Sequence, residues 1–562
     1  MAIQISPGVN VSEVDLTTVV PSVLTTAGAF VGNFKWGPAN VIKSIDSEIT
    51  LVNTFGKPDD ASAVSFFTAA NFLAYGNNLN VVRVVGNLSN NSTSGADTIQ
   101  VENEEEFQVT YLGQNNSNTY GPFIARYVGD YGDNLKVSVC ASSATFSSWT
   151  YNSYFTSAPG TSDYVSAAGG SNDEMHIIVV DRTGAITGTA NTVLEKFGFV
   201  SAAVDASING ESNYYKQVVF DKSKYIYAMD PVDYSTTSAT WGTSSVNKTF
   251  ANPGSNMTYN LSGGSNNLPT SANINSGWTL FTNKETVDIS LAITGGASIA
   301  TQQYVIDNVA ESRQDCVAFV SPPSANVVSQ AGSESTNITN WLTALSRSSS
   351  YAVADSGWKY QFDKYNNVYR YIPLNSDIAG LCVRTDNQRD PWFSPAGYTR
   401  GAIKNCIKLA WNPNKANRDT LYARGVNPVV SFPGQGTILY GDKTLLSKPS
   451  AFDRINVRRL FIVLEKAIAQ AAQFSLFELN DEFTRAQFVS FVTPFLRDIQ
   501  GRRGIYDFKV VCDTTNNTQQ IIDSNQFVGD IYIKPARSIN YIQLNFVAVA
   551  TGVDFTTIVG AV

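Results

Sequence analysis

The chain has one histidine, His176, in 562 residues, and it sits in an apolar run of strand type, Met175-His176-Ile177-Ile178-Val179-Val180. One imidazole can act as the base of a single triad, but it cannot supply a two-histidine metal site. With no G-x-S-x-G nucleophile elbow in the chain, His176 reads as an ordinary strand residue. The five cysteines (Cys140, Cys316, Cys382, Cys406 and Cys512) are odd in number, widely spaced and mostly set among apolar neighbours. They read as reduced core residues rather than disulfides, metal ligands or activated thiols. The nearest approach to a phosphate loop is Gly436-Thr437-Ile438-Leu439-Tyr440-Gly441-Asp442-Lys443-Thr444. It departs from G-x-x-x-x-G-K-[ST] by the inserted Asp442, which puts a carboxylate where a phosphate would sit. Its Thr-Ile-Leu-Tyr interior reads as a strand and turn. No catalytic residue, cofactor or metal site is expected.

Composition narrows the function classes further. The formal net charge is −8, and a duplex-binding protein needs a basic face, so no direct nucleic-acid partner is expected. The first residues, MAIQISPGVNVSEVD, lack the basic and apolar regions of a signal peptide, and no run approaches the length of a membrane span. Synthesis in the cytoplasm without membrane insertion is the expectation. Charged residues make up only 15% of the chain; Ser, Thr, Asn and Gly take their place and favour turns and β-rich, uncharged surfaces. The length calls for several domains.

Ile3, Ile5, Val9 and Val11 alternate around Pro7 and Gly8 and read as an extended arm within 1–26. A middle α/β domain is expected from 27–86 and 191–355, with strands around 29–32 and 79–85 flanking a helix near Ala63 to Tyr75. An inserted outer β domain is expected over 87–190, and the tract 234–282, in which Lys248 is the only charge, reads as an exposed insertion. The segment 356–550 reads as a C-terminal domain dominated by two amphipathic helices. In the first, Asp453 is the expected N-cap of a run through Ile455, Leu460, Leu464 and Ile468. In the second, Asn480 or Asp481 caps a run through Phe488, Val492, Phe495 and Ile499. Alternation from Ile539 to Ala550 and a second arm, 551–562, end the chain.

Several long runs carry a resemblance. Arg424-Gly425-Val426-Asn427-Pro428, Phe432-Pro433-Gly434-Gln435-Gly436 and the stretch Pro449 to Leu460, read as PSAFDRINVRRL, resemble the tail sheath proteins of T4-like contractile phages. So do Leu476-Phe477-Glu478-Leu479-Asn480, VCDTTNNT from Val511 and PARSINYI from Pro535. The match is strongest from about 420 onward, present at Ser6-Pro7-Gly8-Val9, and weak over 87–175 and 234–282.

The resemblance implies a multidomain α+β structural subunit of the virion. Its inner α/β domain would be built from N- and C-terminal segments, its middle domain would be discontinuous and its β-rich insertion would face outward. It implies hexameric rings of this chain stacked into a helical sheath around a tail tube, with a baseplate and tail terminator or neck proteins at the ends. Contraction would drive the tube through the host envelope; a bacteriocin or type VI secretion sheath is the alternative within the class. The arms would pair as strands with neighbouring subunits, through Ile3, Ile5, Val9 and Val11 at one end and Phe546, Val553 and Phe555 at the other. Extended, 539–562 would reach roughly 75 Å, beyond an inner domain of about 40 Å. Arg485, Arg497, Arg502 and Arg503, on and after the second C-terminal helix, are the tube-facing candidates. Glu482 and Asp498 close by make a solvated, salt-bridged face the competing reading.

Overall fold

Gly28-Ala29-Phe30-Val31-Gly32 is apolar throughout and buried at every position, the pattern of a strand covered on both faces. It is an interior strand, fifth of the seven that form the central sheet of the computed structural model, which describes residues 23–114 and 118–543. The spatial order is Val426–Asn427, Ala352–Asp355, Val317–Val320, Leu291–Ile293, Gly28–Gly32, Leu79–Arg83 and Ile42–Ile45. All neighbours run parallel except the last, Ile42–Ile45, which is antiparallel to Leu79–Arg83. Helices cover both faces. Phe66, Phe67 and Phe72 of the helix Ala63–Leu73 and Ile378 and Leu381 of Asn375–Gln388 fill one side, while Trp278, Val305, Ile306 and Trp341 fill the other.

Parallel sheets of this kind bind ligands beyond the carboxyl ends of their strands. Here protein occupies that crevice. The Asn375 side chain donates to the Gly295 carbonyl at 2.7 Å and accepts from the Gly295 amide at 3.2 Å. Ser321 Oγ donates to Asp355 at 2.6 Å and accepts from the Asn375 amide at 3.1 Å.

The insertion expected over 87–190 does not end at 190. Glu174–Asp181 pairs antiparallel with Thr192–Ser201, so the boundary expected between 190 and 191 cuts a hairpin. Residues 182–191 are its turn, held by Asp181, whose carboxylate accepts from the amides of Gly184, Ile186 and Thr187 at 2.8–3.0 Å. Tyr215, Val219 and Ile226 lie in the insertion's core as well, so 191–233 belongs to the insertion and not to the middle domain.

The tract 234–282 is also corrected: it is not a free exposed insertion. Met257–Asn260 is the edge strand beside Leu135–Cys140 in the insertion's four-stranded sheet. Trp241, Phe250 and Leu261 are buried, and Ser271–Thr279 returns to the central sheet with Trp278 fully buried. A third correction concerns 356–550. Val426–Asn427 joins the central sheet and Asn375–Gln388 packs on it, so residues up to about 445 complete the α/β unit. Only the last part has a core of its own, in which Leu460, Leu464, Phe488, Val492 and Leu496 pack around Trp392.

Two helices dominate that last unit. Ile455–Ala472 has Arg454 at its cap position and no side-chain cap. Asp453 instead ends a 3-10 turn, Ala451–Asp453, and the Ile455 amide donates to the Asp442 carbonyl at 2.8 Å. The second helix, Glu482–Gly501, is capped by Asp481, which accepts from the Thr484 amide at 2.8 Å. The hairpin Ile505–Val511 and Asp530–Pro535 packs beside it. The arm residues Ile3, Ile5, Val9, Val11, Phe546, Val553 and Phe555 lie outside the described residues.

Candidate functional site: the roots of the two arms

The residues with chemical potential in the sequence are all structurally occupied. His176 is fully buried; its Nδ1 accepts from the Phe199 amide at 3.1 Å, which leaves Nε2 to donate to the Ser157 carbonyl at 2.9 Å. Burial holds its pKa below the usual value, and the ring stacks on Phe155 with centroids 4.1 Å apart. All five cysteines are free thiols, and burial pushes Cys316 up to about 12 and Cys382 up to about 11. Among the described residues, no helix is long and apolar enough to cross a membrane. Gly436–Leu439 is a strand paired with Val429–Phe432.

The rest of that phosphate-loop look-alike has a different use. Asp442 is 2% exposed, and its carboxylate receives Ser538 and Asn540, close to the C-terminal end of the described residues. Ser538 Oγ donates to Oδ2 at 2.7 Å, and Asn540 Nδ2 donates to Oδ1 at 3.0 Å. Tyr422 Oη also donates to Oδ1, at 3.2 Å, and itself accepts from Asn540 Nδ2 at 2.9 Å and Arg454 Nη1 at 3.0 Å. Burial and the Asp442 carboxylate push the Tyr422 phenol up, so it stays protonated and keeps donating. A groove of about 620 Å³ runs between 449–457 and 537–541.

The N-terminal end of the described residues is held on the same helix, a little over one turn further on. Arg459 is 4% exposed; its guanidinium holds both oxygens of Asp386, and Nη2 also donates to the Thr25 carbonyl at 3.4 Å. Thr25 Oγ1 donates to Asp386 Oδ2 at 2.7 Å, and Leu24 accepts from Ser290 Oγ at 2.9 Å. Between the two roots, Arg458 lies over the rings of Tyr351 and Phe452 at 4.2 and 4.1 Å. Within the run DRINVRRL, then, Arg454 contacts the tyrosine that holds Asn540, Arg459 holds Thr25, and Arg458 packs on two rings between them.

Of the tube-facing candidates, two are committed within the subunit. Arg485 is buried and its Nη1 donates to the carbonyl and side chain of Asn480 at 3.2 and 2.8 Å. Arg502 pairs with Asp390 and Asp498 and lies over Trp392. Arg497 and Arg503 are exposed. The segment joining the two helices exposes Phe474, Leu476, Phe477 and Leu479, and Phe483 in the first turn of the second helix is exposed beside it, a concentration of apolar surface of the kind that marks an interaction site.

This chain is 35% identical to the tail sheath protein of Vibrio phage KVP40, over 99% of this chain and 100% of the relative. It is 34% identical to the tail sheath protein of Enterobacteria phage T4, over 99% of both chains. The chain belongs to the tail sheath protein family. Family models for the tail sheath C-terminal domain, the central domain and the N-terminal region of domain III match residues 447–548, 270–445 and 25–84. They leave 85–269 unmatched, which corresponds to the insertion, and they change from central to C-terminal domain just before the helix that holds both arm roots.

The sheath fold is shared more widely. The sheath tail protein Lin1278 of Listeria innocua superposes with a TM-score of 0.52 at 11% identity, covering 93% of this chain and 94% of its own. The sheath complex of an extracellular contractile injection system, in its contracted state, superposes at 0.51 and 12%, covering 97% and 98%. The sheath residues that sequence reasoning did not pick out are Asp442, Tyr422, Asp386 and Thr25. The available signals were the Asp442 insertion that spoils the phosphate loop and the arginines of DRINVRRL.

Proposed function

We propose that this tail sheath protein polymerises by lending its two arms to neighbouring copies, building stacked rings around a tail tube in the virion. The observation that carries this reading is the anchoring of both arm roots on one helix of the last unit. A donated strand transmits position only if its root is rigid, and each root here is fixed by part-buried, charge-assisted hydrogen bonds to a buried carboxylate. Beyond the C-terminal root, Ile539, Tyr541 and Ile542 are 83%, 84% and 78% exposed, and the sequence continues with Phe546, Val553 and Phe555. Strand addition by a neighbour would cover such residues.

Rings of this kind stack into a helical tube through contacts that do not close on themselves. Among the described residues the strand-end crevice is filled by the chain's own Asn375, which leaves no room there for a nucleotide to power contraction. The work would then come from a metastable lattice released into a lower-energy packing, and the subunit acts as a structural protein rather than an enzyme. Arg497 and Arg503, with the exposed part of Arg502, are the residues left to face the tube, while the insertion, spanning about 85–269, faces outward. The baseplate and the neck proteins would meet the sheath at its ends. Negative-stain electron microscopy of the purified chain tests the reading: tubes with a regular helical repeat are expected, and a chain that stays monomeric at every concentration overturns it.

A further inference from the structure

We propose that Asp442 is the bearing that aims the C-terminal arm, so that its carboxylate sets which neighbour receives the strand. This deepens the reading that the arm is donated and rests on it. The carboxylate sits on a segment with little freedom. The Lys443 amide donates to Asn427 Oδ1 at 2.7 Å, Asn427 Nδ2 donates to the Lys443 carbonyl at 2.7 Å, and the Asp442 carbonyl takes the first amide of the helix Ile455–Ala472. A Cβ on Gly441 would come within 2.9 Å of both Asn427 and Tyr422, so the backbone there passes through a slot only glycine fits.

The arm meets this fixed point through alternate residues. Ser538 and Asn540 are two apart and both bind Asp442, as an extended segment with one face turned inward allows. The residues between and beyond them, Ile539 and Tyr541, are therefore turned to solvent. A chain folding for itself would bury the isoleucine and tyrosine and leave the serine and asparagine wet. The reversed arrangement spends the polar side on orientation and leaves the apolar side free for a second copy of this chain. Holding the root also narrows the volume the arm can sweep, which raises its effective concentration at one neighbour and lowers it at others.

The test compares wild type with Asp442→Ala, with the double variant Ser538→Ala/Asn540→Ala, and with a chain lacking 551–562. The double variant alters only arm-root side chains and preserves the fold if Asp442→Ala does not. Circular dichroism reads folding, electron microscopy reads tube yield, and binding of a labelled peptide spanning 544–562, which leaves out the residues that bind Asp442, reads the ability to accept an arm. Both substituted chains should fold and bind the peptide as wild type does, while tube yield falls about tenfold or more and traces of either chain shorten wild-type tubes. A double variant that makes tubes normally while the truncated chain makes none overturns the role of Asp442 alone. A double variant that loses peptide binding together with tubes also overturns it, because the effect would then not be confined to donation. Normal tubes from the truncated chain overturn the donated-strand reading and this inference with it.

Discussion

Arg459 spans the carboxylate of Asp386, with Nη1 2.8 Å from Oδ1 and Nη2 2.5 Å from Oδ2, and the same carboxylate accepts from Thr25 at 2.7 Å. Three segments far apart in sequence therefore meet on one ion pair: the root of the N-terminal arm, a helix of the α/β unit and the helix of the last unit. Asp386 raises the Arg459 pKa, so the guanidinium stays charged across any accessible pH. Removing it strands a buried carboxylate. Arg459→Met should cost about 3–5 kcal/mol in denaturant unfolding, whereas Arg497→Met, on the exposed side of the second helix, should change stability by less than about 0.5 kcal/mol.

Arg83 couples the central sheet to the insertion. It is fully buried and donates to the carbonyls of Phe34, Gly37 and Val128 at 2.9, 2.6 and 2.7 Å, with Val128 inside the insertion. Burial lowers its pKa to about 9, against the pull of the Glu102 and Asp130 charges. Arg83→Met leaves those carbonyls unpaired; a loss of about 3 kcal/mol is expected, with faster amide exchange around Val128 than in the Val317–Val320 strand.

Asp355 gives stability a dependence on pH. Burial raises its pKa from 3.8 to about 8, with Ser321 and the Gly357 amide as partners and Asp377 as a nearby like charge. Because the folded pKa lies above the unfolded one, the neutral form favours folding. The stabilisation relative to the charged form is complete below pH 3.8, declines as pH rises, and is lost above about 8. The melting temperature of wild type should fall from pH 6 to pH 9 more steeply than that of Asp355→Asn; parallel curves would remove Asp355 as the cause.

Arg497 and Arg503 test the tube contact. Exposed charge pairs contribute roughly 0.2–1 kcal/mol each, weak enough for the proposed tube contact to be reversible. Arg497→Glu with Arg503→Glu should leave folding and self-assembly intact and abolish coating of purified tube and baseplate. Coating at the wild-type rate would make these two ordinary surface charges.

Much of this fold could be read from the sequence because it is written in local periodicity. Gly28–Gly32, the helix from Ala63 and the strand Leu79–Arg83 form the expected parallel pair joined by a helix. The two C-terminal helices follow their apolar stripes. What sequence could not show depends on long-range pairing. Residues 182–191 look like a domain boundary because a hairpin turn and a linker share the same Thr, Gly and Asn composition. Val426–Asn427 is too short a strand to show alternation, yet it carries 356–445 into the α/β unit. The tract 234–282 lacks charge because its polar side chains serve its own backbone and neighbouring loops, as when Ser244 and Ser245 bind Asp205 at 2.8 and 3.0 Å. In the site, Asp442 was visible only as a fault in a phosphate loop, since its partners at 538 and 540 lie about a hundred residues away.

The most direct test of the account is an electron cryomicroscopy map of the assembled polymer in which residues 1–22 and 544–562 can be traced. Both segments should run from their roots at Thr25 and Ser538 onto neighbouring copies and lie as added strands beside Ile505–Val511 or Asp530–Pro535. A map in which both segments fold back onto their own subunit, with the rings held by other surfaces, would contradict it.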